Sequence, residues 1–464
     1  MFKRDVYDVV IIGAGIGGYA SAIRCSQMGM RVALIEKWKL GGVCLNSGCI
    51  PTSIWLTTAS LLEKIGRAKN YGIFIAGFSL DLKGVKARKE DVVNRLNQGI
   101  RYLLEKNKVD LFEGTGRIKS PNCIIVERNG EKKDVYTKNI IVASGSRPKY
   151  LANVPVDGNK IITVENALNL EDVPESVFII GGGILGVEFA QIFCSLGSKV
   201  TILEKKERLL PNFDREVSTT LRRILERNGI KIFTKVSSEA ANISDDNVRL
   251  TFYADGGKVD AVAEKIVIAA GRSPNVEDLG LENVGIQLRD GFIEVNEHMR
   301  TNIPNIYAVG DVIGKKMFAH AALAEGMVAA ENIAGIETKI DWRTIPACVY
   351  TTPEIASVGL SEEEAINMGY KISIGRFPYA ANGRALVDGE KDGFVKIIAD
   401  KERDEILGVH IIGPNASNLI SEATLAIKLE CTSEELGRTI HPHPTLSEAI
   451  MEAALAVFKR AIHI

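Results

Sequence analysis

The sequence predicts an α/β protein with two Rossmann-like dinucleotide-binding domains and a C-terminal α+β domain. Three observations carry that expectation: an internal repeat, a glycine turn at the same place in each copy, and a mixed strand and helix pattern from about residue 344 onward. The repeat has an offset of 168 residues, the distance from Gly13 to Gly181. Val9-Val-Ile-Ile-Gly13-Ala-Gly15-Ile-Gly-Gly18 aligns with Val177-Phe-Ile-Ile-Gly181-Gly-Gly183-Ile-Leu-Gly186, and the stretch ending in Glu36 aligns with the stretch ending in Glu204. Each copy runs from a short, wholly apolar strand through a glycine turn into a helical stretch, then into a second apolar strand that ends in an acid.

A single GxGxxG is weak evidence, because glycines also serve ordinary turns. The context strengthens it here. Gly13 permits the tight turn, Gly15 lets the backbone approach a pyrophosphate, and Gly18 allows the helix to pack closely, while the helix N-terminus offers N–H groups to phosphate. Glu36 is placed to bind a ribose. The bland alternative for Glu36 is a solvated strand-end acid, but the same acid recurs at Glu204 with the same spacing. In the second copy, Gly181, Gly183 and Gly186 repeat the turn. An acid bonding the ribose 2′-OH would repel a 2′-phosphate, so Glu204 favours NAD, although Lys205, Lys206 and Arg208 blur that preference.

Between the copies, residues 50–70 and 90–107 carry helical patterns, and 109–148 alternates in short strands ending at Ser144-Gly145-Ser-Arg-Pro148. A matching piece, Ala270-Gly271-Arg-Ser-Pro274, closes the second copy. Ile306-Tyr-Ala-Val-Gly310-Asp311 is a further apolar strand ending in Gly-Asp, followed by a helix over 319–334. Beyond 344, helices are expected near 361–369, 417–429, 433–437 and 446–461. The domain boundaries fall near 148, 275 and 343, giving segments 1–148, 149–275, 276–343 and 344–464.

The chain has 464 residues, of which 46% are hydrophobic and 25% charged, enough for two or more cores and incompatible with a disordered or fibrous protein. Lys plus Arg number 57 and Asp plus Glu 58, so no whole-chain field recruits nucleic acid or acidic membranes. No uninterrupted apolar run approaches the roughly 18 residues of a membrane helix. A soluble, cytoplasmic protein is expected. Seven cysteines are odd in number and sparse for the length, which argues against a secreted disulfide framework.

Two of those cysteines lie directly after the first βαβ unit, in Gly41-Gly42-Val43-Cys44-Leu45-Asn46-Ser47-Gly48-Cys49. Four intervening residues can form about one helical turn and bring both sulfurs into bridging range, and a helix N-terminus lowers a thiolate pKa. Incidental buried thiols are the alternative. Cys25, Cys123, Cys194, Cys348 and Cys431 have no such setting and read as packing residues. Near the C-terminus, His441-Pro-His443-Pro-Thr-Leu-Ser-Glu448 holds two of the six histidines. No Cys or Asp joins them at ligand spacing, so no metal is expected. A general base oriented by an acid fits better, with Glu448 holding one imidazole nitrogen.

Together these pieces resemble a flavin disulfide oxidoreductase of the dihydrolipoamide dehydrogenase type over nearly the whole chain. The resemblance implies FAD on the first copy, with Gly145, Gly310 and Asp311 completing its site, and NAD on the second, with Glu188 and Gly271 joining the turn residues. It implies that Cys44 and Cys49 form a redox disulfide, Cys44 exchanging with substrate and Cys49 lying by the flavin. It further implies a homodimer, with residues 344–464 as the dimerisation domain and His443 as the base serving the partner's disulfide. The expected reaction is oxidation of dihydrolipoamide or a lipoyl-carrying protein with NAD⁺. The alternatives are a reductase of another small disulfide using NAD(P)H, and a non-catalytic flavoprotein redox partner. Mercuric and thioredoxin reductases are disfavoured because the stretch Lys459–Ile464 holds no adjacent cysteines, glutathione reductases by Glu204, and transhydrogenases of this plan by the presence of Cys44.

The match departs from the family at one functional position. The family loop continues Ile-Pro-Ser-Lys, whereas here it reads Ile50-Pro51-Thr52-Ser53. In the family that lysine pairs with the acid at position 188. Glu188 is retained, so its carboxyl is expected either to hold a raised pKa or to find another donor. Lys64, about three helical turns beyond Ser53, is too far to substitute. Trp55 also differs from the usual small apolar residue and is a candidate to alter the substrate channel.

Overall fold

The computed structural model describes residues 6–243, 247–254 and 256–464. The chain forms two compact units, each assembled from separated stretches of sequence. The first takes residues up to 54, 81–149 and 272–341; the second takes 55–80, 150–271 and 342–464.

In the first unit, the strand Val6–Ile12, the helix Ile16–Gln27 and the strand Val32–Glu36 form the expected βαβ unit. The two strands pair in parallel, Val9 with Val32 through Ile12 with Ile35. Val6–Ile12 is flanked on its other side by Glu131–Val142, also parallel, which in turn carries Ile306–Ala308. Asp110–Glu113 extends the sheet beyond Val32–Glu36, and Thr115–Ser120 and Cys123–Arg128 add antiparallel strands. Val9, Val10 and Ile11 are wholly buried, which is why this strand reads as a continuous apolar run rather than an alternating one. The helices Ile16–Gln27 and Ala319–Ile333 pack closely through glycine. A Cβ at Gly17 would sit 3.2 Å from Ala322 O, and one at Gly326 would sit 2.7 Å from Gly17 O.

In the second unit, five parallel strands stand in the order Lys231–Phe233, Lys199–Leu203, Ser176–Ile180, Lys265–Ile268, Ile161–Thr163. An antiparallel meander, Ser237–Ile243, Val248–Ala254 and Gly257–Ala263, packs apolar side chains such as Leu250 and Phe252 with Phe178 and Ile266. The C-terminal part is a five-stranded antiparallel sheet in the order Ala347–Val349, Glu354–Gly359, Ile406–Gly413, Phe394–Asp400, Ile372–Pro378. Its core joins Phe377, Val395, Ile397 and Val409 to Ile420 and Ala423 of the helix Ala416–Lys428 and to Ala449 and Ile450 of the helix Glu448–Ala456.

That last helix is shorter than the sequence pattern suggests. Lys459 adopts φ +60°, and Arg460 N–H donates to Leu455 O at 3.0 Å. A left-handed residue with such a return bond terminates a helix and reverses the chain. The apolar periodicity of 446–461 carries no signal for that reversal.

Among the described residues no helix is long and apolar enough to cross a membrane.

Candidate active site

The two glycine turns have the same construction. Gly13 and Gly181 have φ of +102° and +113°, and a Cβ on either would collide with a carbonyl, Ala143 O or Ala269 O respectively. At Gly18 and Gly186 a Cβ would strike the carbonyl of Gly13 and Gly181, so only glycine lets each helix approach its strand. Gly15 and Gly183 meet nothing within 4 Å. They precede the helices Ile16–Gln27 and Ile184–Ser195, and neither helix start has a side-chain cap. Backbone N–H groups at an uncapped helix start favour an anion.

The strand-end acids close both turns. Glu36 accepts Ala14 N–H at 2.6 Å on one oxygen and Trp38 N–H at 2.8 Å on the other. Glu204, which is buried, accepts Gly182 N–H at 2.5 Å and Lys206 N–H at 2.6 Å. Arg208 is held by Glu363, with Nη1 donating to Oε1 at 3.2 Å and Nη2 to Oε2.

Cys44 and Cys49 are joined in a disulfide, with Cα atoms 4.6 Å apart. Cys44 lies in the short helix Gly42–Ser47, and Cys49 is the first residue of the helix Cys49–Arg67, where a thiolate gains from the helix dipole. The loop is fastened to the first glycine turn. Gly41 N–H donates to Ala14 O at 2.8 Å, and a Cβ on Gly42 would sit 2.8 Å from Gly15 Cα. Asn46 donates to Leu40 O and Gly42 O, both at 2.8 Å, and accepts from Asn97 Nδ2 at 2.9 Å on the helix Leu82–Lys106.

Asp311 is oriented by a small network. Ser146 Oγ donates to Asp311 Oδ2, while Arg272 Nε donates to Ser146 Oγ at 2.6 Å and stands 3.7 Å from the carboxylate. Arg272–Pro274 pairs with Ser146–Pro148 as a two-stranded ribbon. Asn275 N–H donates to Gly145 O at 3.0 Å, and Gly145 and Gly271 have φ of +72° and +102°. Gly310 N–H donates to Glu325 Oε2 at 2.6 Å. Burial and the nearby Asp311 charge outweigh that bond and push the Glu325 carboxyl up to about 7.

Glu188 is buried in the helix Ile184–Ser195 and accepts Tyr350 N–H at 2.9 Å. Burial pushes its pKa up to about 7, against the lowering effect of that bond. The adjacent Gln191 accepts Thr352 N–H at 2.7 Å and donates to Glu63 at 3.0 Å. Trp55 is buried, and its ring N–H donates to Leu168 O at 3.3 Å.

His443 Nδ1 lies 2.9 Å from Glu448 Oε1, and Thr445 N–H donates to Glu448 Oε2 at 2.8 Å. Burial raises the Glu448 pKa, but the Thr445 N–H, His443 and His463 together hold it below the ordinary value. The His443 side chain is 78% exposed, so the ring is oriented yet reachable. His441 is instead 5% exposed, its Nε2 lying 2.8 Å from Glu422 Oε1, and that carboxylate raises its pKa.

Residues 7–326 match the sequence profile of the pyridine nucleotide-disulphide oxidoreductases, and residues 345–454 match the dimerisation domain of the same proteins. This chain belongs to the pyridine nucleotide-disulphide oxidoreductase family. It is 45% identical to a dihydrolipoyl dehydrogenase of Bacillus subtilis, over 98% of this chain and 99% of that protein. It is 44% identical to the dihydrolipoyl dehydrogenase of Thermus scotoductus, over 99% of each. The mitochondrial dihydrolipoyl dehydrogenase 1 of Arabidopsis thaliana is 41% identical, over 99% of this chain and 92% of that one. Among solved structures, LpdA of Mycobacterium tuberculosis superposes with a TM-score of 0.90 at 27% identity, covering 96% of this chain and 98% of that one. The Cu(II) complex of the HOCl-induced flavoprotein disulfide reductase RclA of Escherichia coli follows at 0.85 and 28%, covering 97% and 99%.

For a pyridine nucleotide-disulphide oxidoreductase, the side chains that sequence reasoning missed are supports rather than reacting groups. Asn97, Ser146, Gln191 and Glu325 hold the disulfide loop, the Gly-Asp acid or the buried helix. Asn97 could have been sought as a polar residue inside an otherwise amphipathic helix. Tyr350 contributes only its backbone N–H, which any residue but proline would supply, so no sequence signal marks it.

Proposed function

We propose that the chain is a homodimeric dihydrolipoyl dehydrogenase that uses FAD and NAD⁺. The observation that carries this reading is the Cys44–Cys49 disulfide fastened to the first glycine turn, because a redox-active disulfide must lie beside the cofactor that takes its electrons. The residues fit both cofactors. Gly15 and the uncapped helix behind it suit the FAD diphosphate, with Glu36 for its ribose and Gly13, Gly18, Gly145, Gly310 and Asp311 completing the cradle. Gly181, Gly183, Gly186, Glu204, Glu188 and Gly271 do the same for NAD, and Glu204, buried and acidic, disfavours a 2′-phosphate. Residues 1–148, 149–275, 276–343 and 344–464 are the corresponding FAD, NAD, central and interface segments.

The protein's own residues perform a dithiol–disulfide exchange. His443, its ring set by Glu448, takes a proton from one substrate thiol. The resulting thiolate attacks Cys44 Sγ, and Cys49 leaves as a thiolate stabilised at its helix start. The second substrate thiol then displaces Cys44 and passes its proton to that leaving sulfur, closing the lipoyl disulfide and leaving Cys44 as a thiol and Cys49 as a thiolate, with the first proton held on His443. Two electrons and two protons have left the substrate. FAD supplies the carrier, and NAD⁺ the hydride acceptor, that return Cys44 and Cys49 to the disulfide. In this reading His443 serves the disulfide of the partner subunit, which explains an oriented base that is 78% exposed.

The test is anaerobic. Dihydrolipoamide is mixed with the holoenzyme, free thiols are alkylated, and Cys44 and Cys49 are followed by peptide mass spectrometry before NAD⁺ is added and NADH recorded. Alkylation of both cysteines, then NADH formed one for one with substrate oxidised, supports the proposal. Unreacted cysteines, with NADH still consumed in the presence of another disulfide, would assign a reductase of that disulfide instead.

A further inference from the structure

His443 stands in a loop that its own backbone barely fastens. From Ile440 to Thr445 no main-chain N–H or C=O bonds another main-chain group among the described residues. Side chains hold the second half of the loop: Thr445 N–H donates to Glu448 Oε2 at 2.8 Å, Thr445 Oγ1 to Pro442 O at 2.7 Å, and Asn382 Nδ2 to Thr445 O at 3.1 Å. In the first half, Ile440 and Pro442 are exposed, and of residues 440–444 only His441 turns inward, its side chain 5% exposed. Nδ1 of that ring lies 2.8 Å from Thr439 O, just past the helix Ser433–Arg438, and Nε2 lies 2.8 Å from Glu422 Oε1 on the helix Ala416–Lys428. A carbonyl and a carboxylate only accept, so the ring donates from both nitrogens and is an imidazolium. The Glu422 bond, outweighing burial, holds its pKa above the ordinary value.

We propose that His441 is a positioning residue for the reaction: its ring pins the loop to Glu422 and thereby fixes where His443 stands. This rests on the reading of His443 as the base. Two features make the pin effective. Glu422 belongs to a helix that is itself anchored, since Ile420 and Ala423 beside it are buried in the C-terminal core. Pro442, the single residue between the two histidines, has a fixed φ, and each histidine precedes a proline, which restricts its own backbone. A ring held at position 441 is therefore passed on as a position at 443 rather than absorbed by the chain. Without it, the stretch ahead of His443 keeps only the bond from Thr445 Oγ1 to Pro442 O, which lies within the loop and ties it to no other element.

Two amides in the full-length holoenzyme separate this role from mere packing. In His441→Gln the side-chain N–H reaches as far as Nε2 does and still donates to Glu422; in His441→Asn it reaches only as far as Nδ1 and serves Thr439 O alone. For each, kcat and KM for dihydrolipoamide are measured, with NADH-dependent bleaching of the flavin, a step that does not use His443, as the control. His441→Asn should lower kcat/KM about tenfold, chiefly through kcat, because a base moved by a fraction of an ångström meets the thiol proton poorly. His441→Gln should stay within about threefold of the parent, since it keeps the bond to Glu422. Glu422→Ala should match His441→Asn, the double variant should lose no more than either alone, and bleaching by NADH should not change in any of them. Parent-like turnover in His441→Asn, or equal losses in His441→Asn and His441→Gln, would overturn the proposal. His443→Gln tests the reading beneath it. Full dihydrolipoamide turnover in that variant would overturn His443 as the base, whereas its inactivity beside an unimpaired His441→Asn would overturn the pin alone.

Discussion

The substitution Glu188→Gln should make the protein's stability less sensitive to alkali. The Glu188 carboxyl is buried, and its pKa rises from 4.5 to about 7 in the fold. A raised acid means that the folded state holds a proton the unfolded state has lost. The stability contribution is therefore intact below pH 4.5 and falls as the pH climbs through about 7. At about 1.4 kcal/mol per pH unit, the full loss by pH 8 is about 3 kcal/mol. The substituted amide has nearly the same shape as the carboxyl, its oxygen can accept the Tyr350 N–H, and it carries no titratable proton. The variant should match the parent near pH 4.5 and exceed it by about 3 kcal/mol at pH 8, or about 3 °C in Tm for a chain of this length. Differential scanning calorimetry of both proteins across that range, each saturated with cofactor, reads the gap directly. A gap that is the same at both ends would refute the argument, because it would mean that Glu188 is already ionised, or never ionised, over the whole interval.

Four further outcomes follow from the same contacts. Cys44→Ser should abolish dihydrolipoamide oxidation while leaving NADH-dependent bleaching of the flavin, as stopped-flow absorbance would record. Glu204→Ala removes a ribose acceptor and releases the N–H groups of Gly182 and Lys206, so the KM for NAD⁺ should rise at least about tenfold and discrimination against NADP⁺ should shrink. Lys396 is 3% exposed and bonds both oxygens of Asp214, itself 1% exposed, so Lys396→Met should destabilise the protein by about 3–5 kcal/mol in urea titrations. Ser53→Lys restores the residue usual in the family, and it should raise the flavin potential or change NADH turnover; neither changing would sink the idea that its loss is functional.

Local features were legible in the sequence because they are chemical necessities at fixed spacing. Gly13, Gly18, Gly181 and Gly186 stand where a Cβ would strike backbone, and the cysteines stand about a turn apart next to the first copy. What stayed hidden depends on chain segments far apart. Glu188 meets Tyr350 across 162 residues, and Asn46 meets Asn97 across 51, with neither position bearing a periodic signal. The expectation that Glu188 must either hold a raised pKa or find another donor proves to be both at once, since a single backbone N–H is too weak to offset full burial. The discontinuous units escaped for the same reason: helix Cys49–Arg67 reads as one apolar pattern although its two ends belong to different units.

The strand-end acids have a structural role that the sequence motif does not announce. Glu36 and Glu204 are expected from the sequence as ribose ligands; in each copy the structure shows the carboxylate accepting the backbone N–H of the second residue in its glycine turn, 22 residues upstream. That bond holds the turn in the shape that aims the helix start at a phosphate. On the proposed reading of these acids, ribose recognition and diphosphate recognition are mechanically linked through one side chain. An acid-to-neutral change that merely altered 2′-OH binding would leave affinity for the diphosphate portion intact, whereas a linked turn would weaken binding of both portions. Glu36 and Glu204 each engage two N–H groups at 2.5–2.8 Å, so the linked outcome is the one this geometry requires.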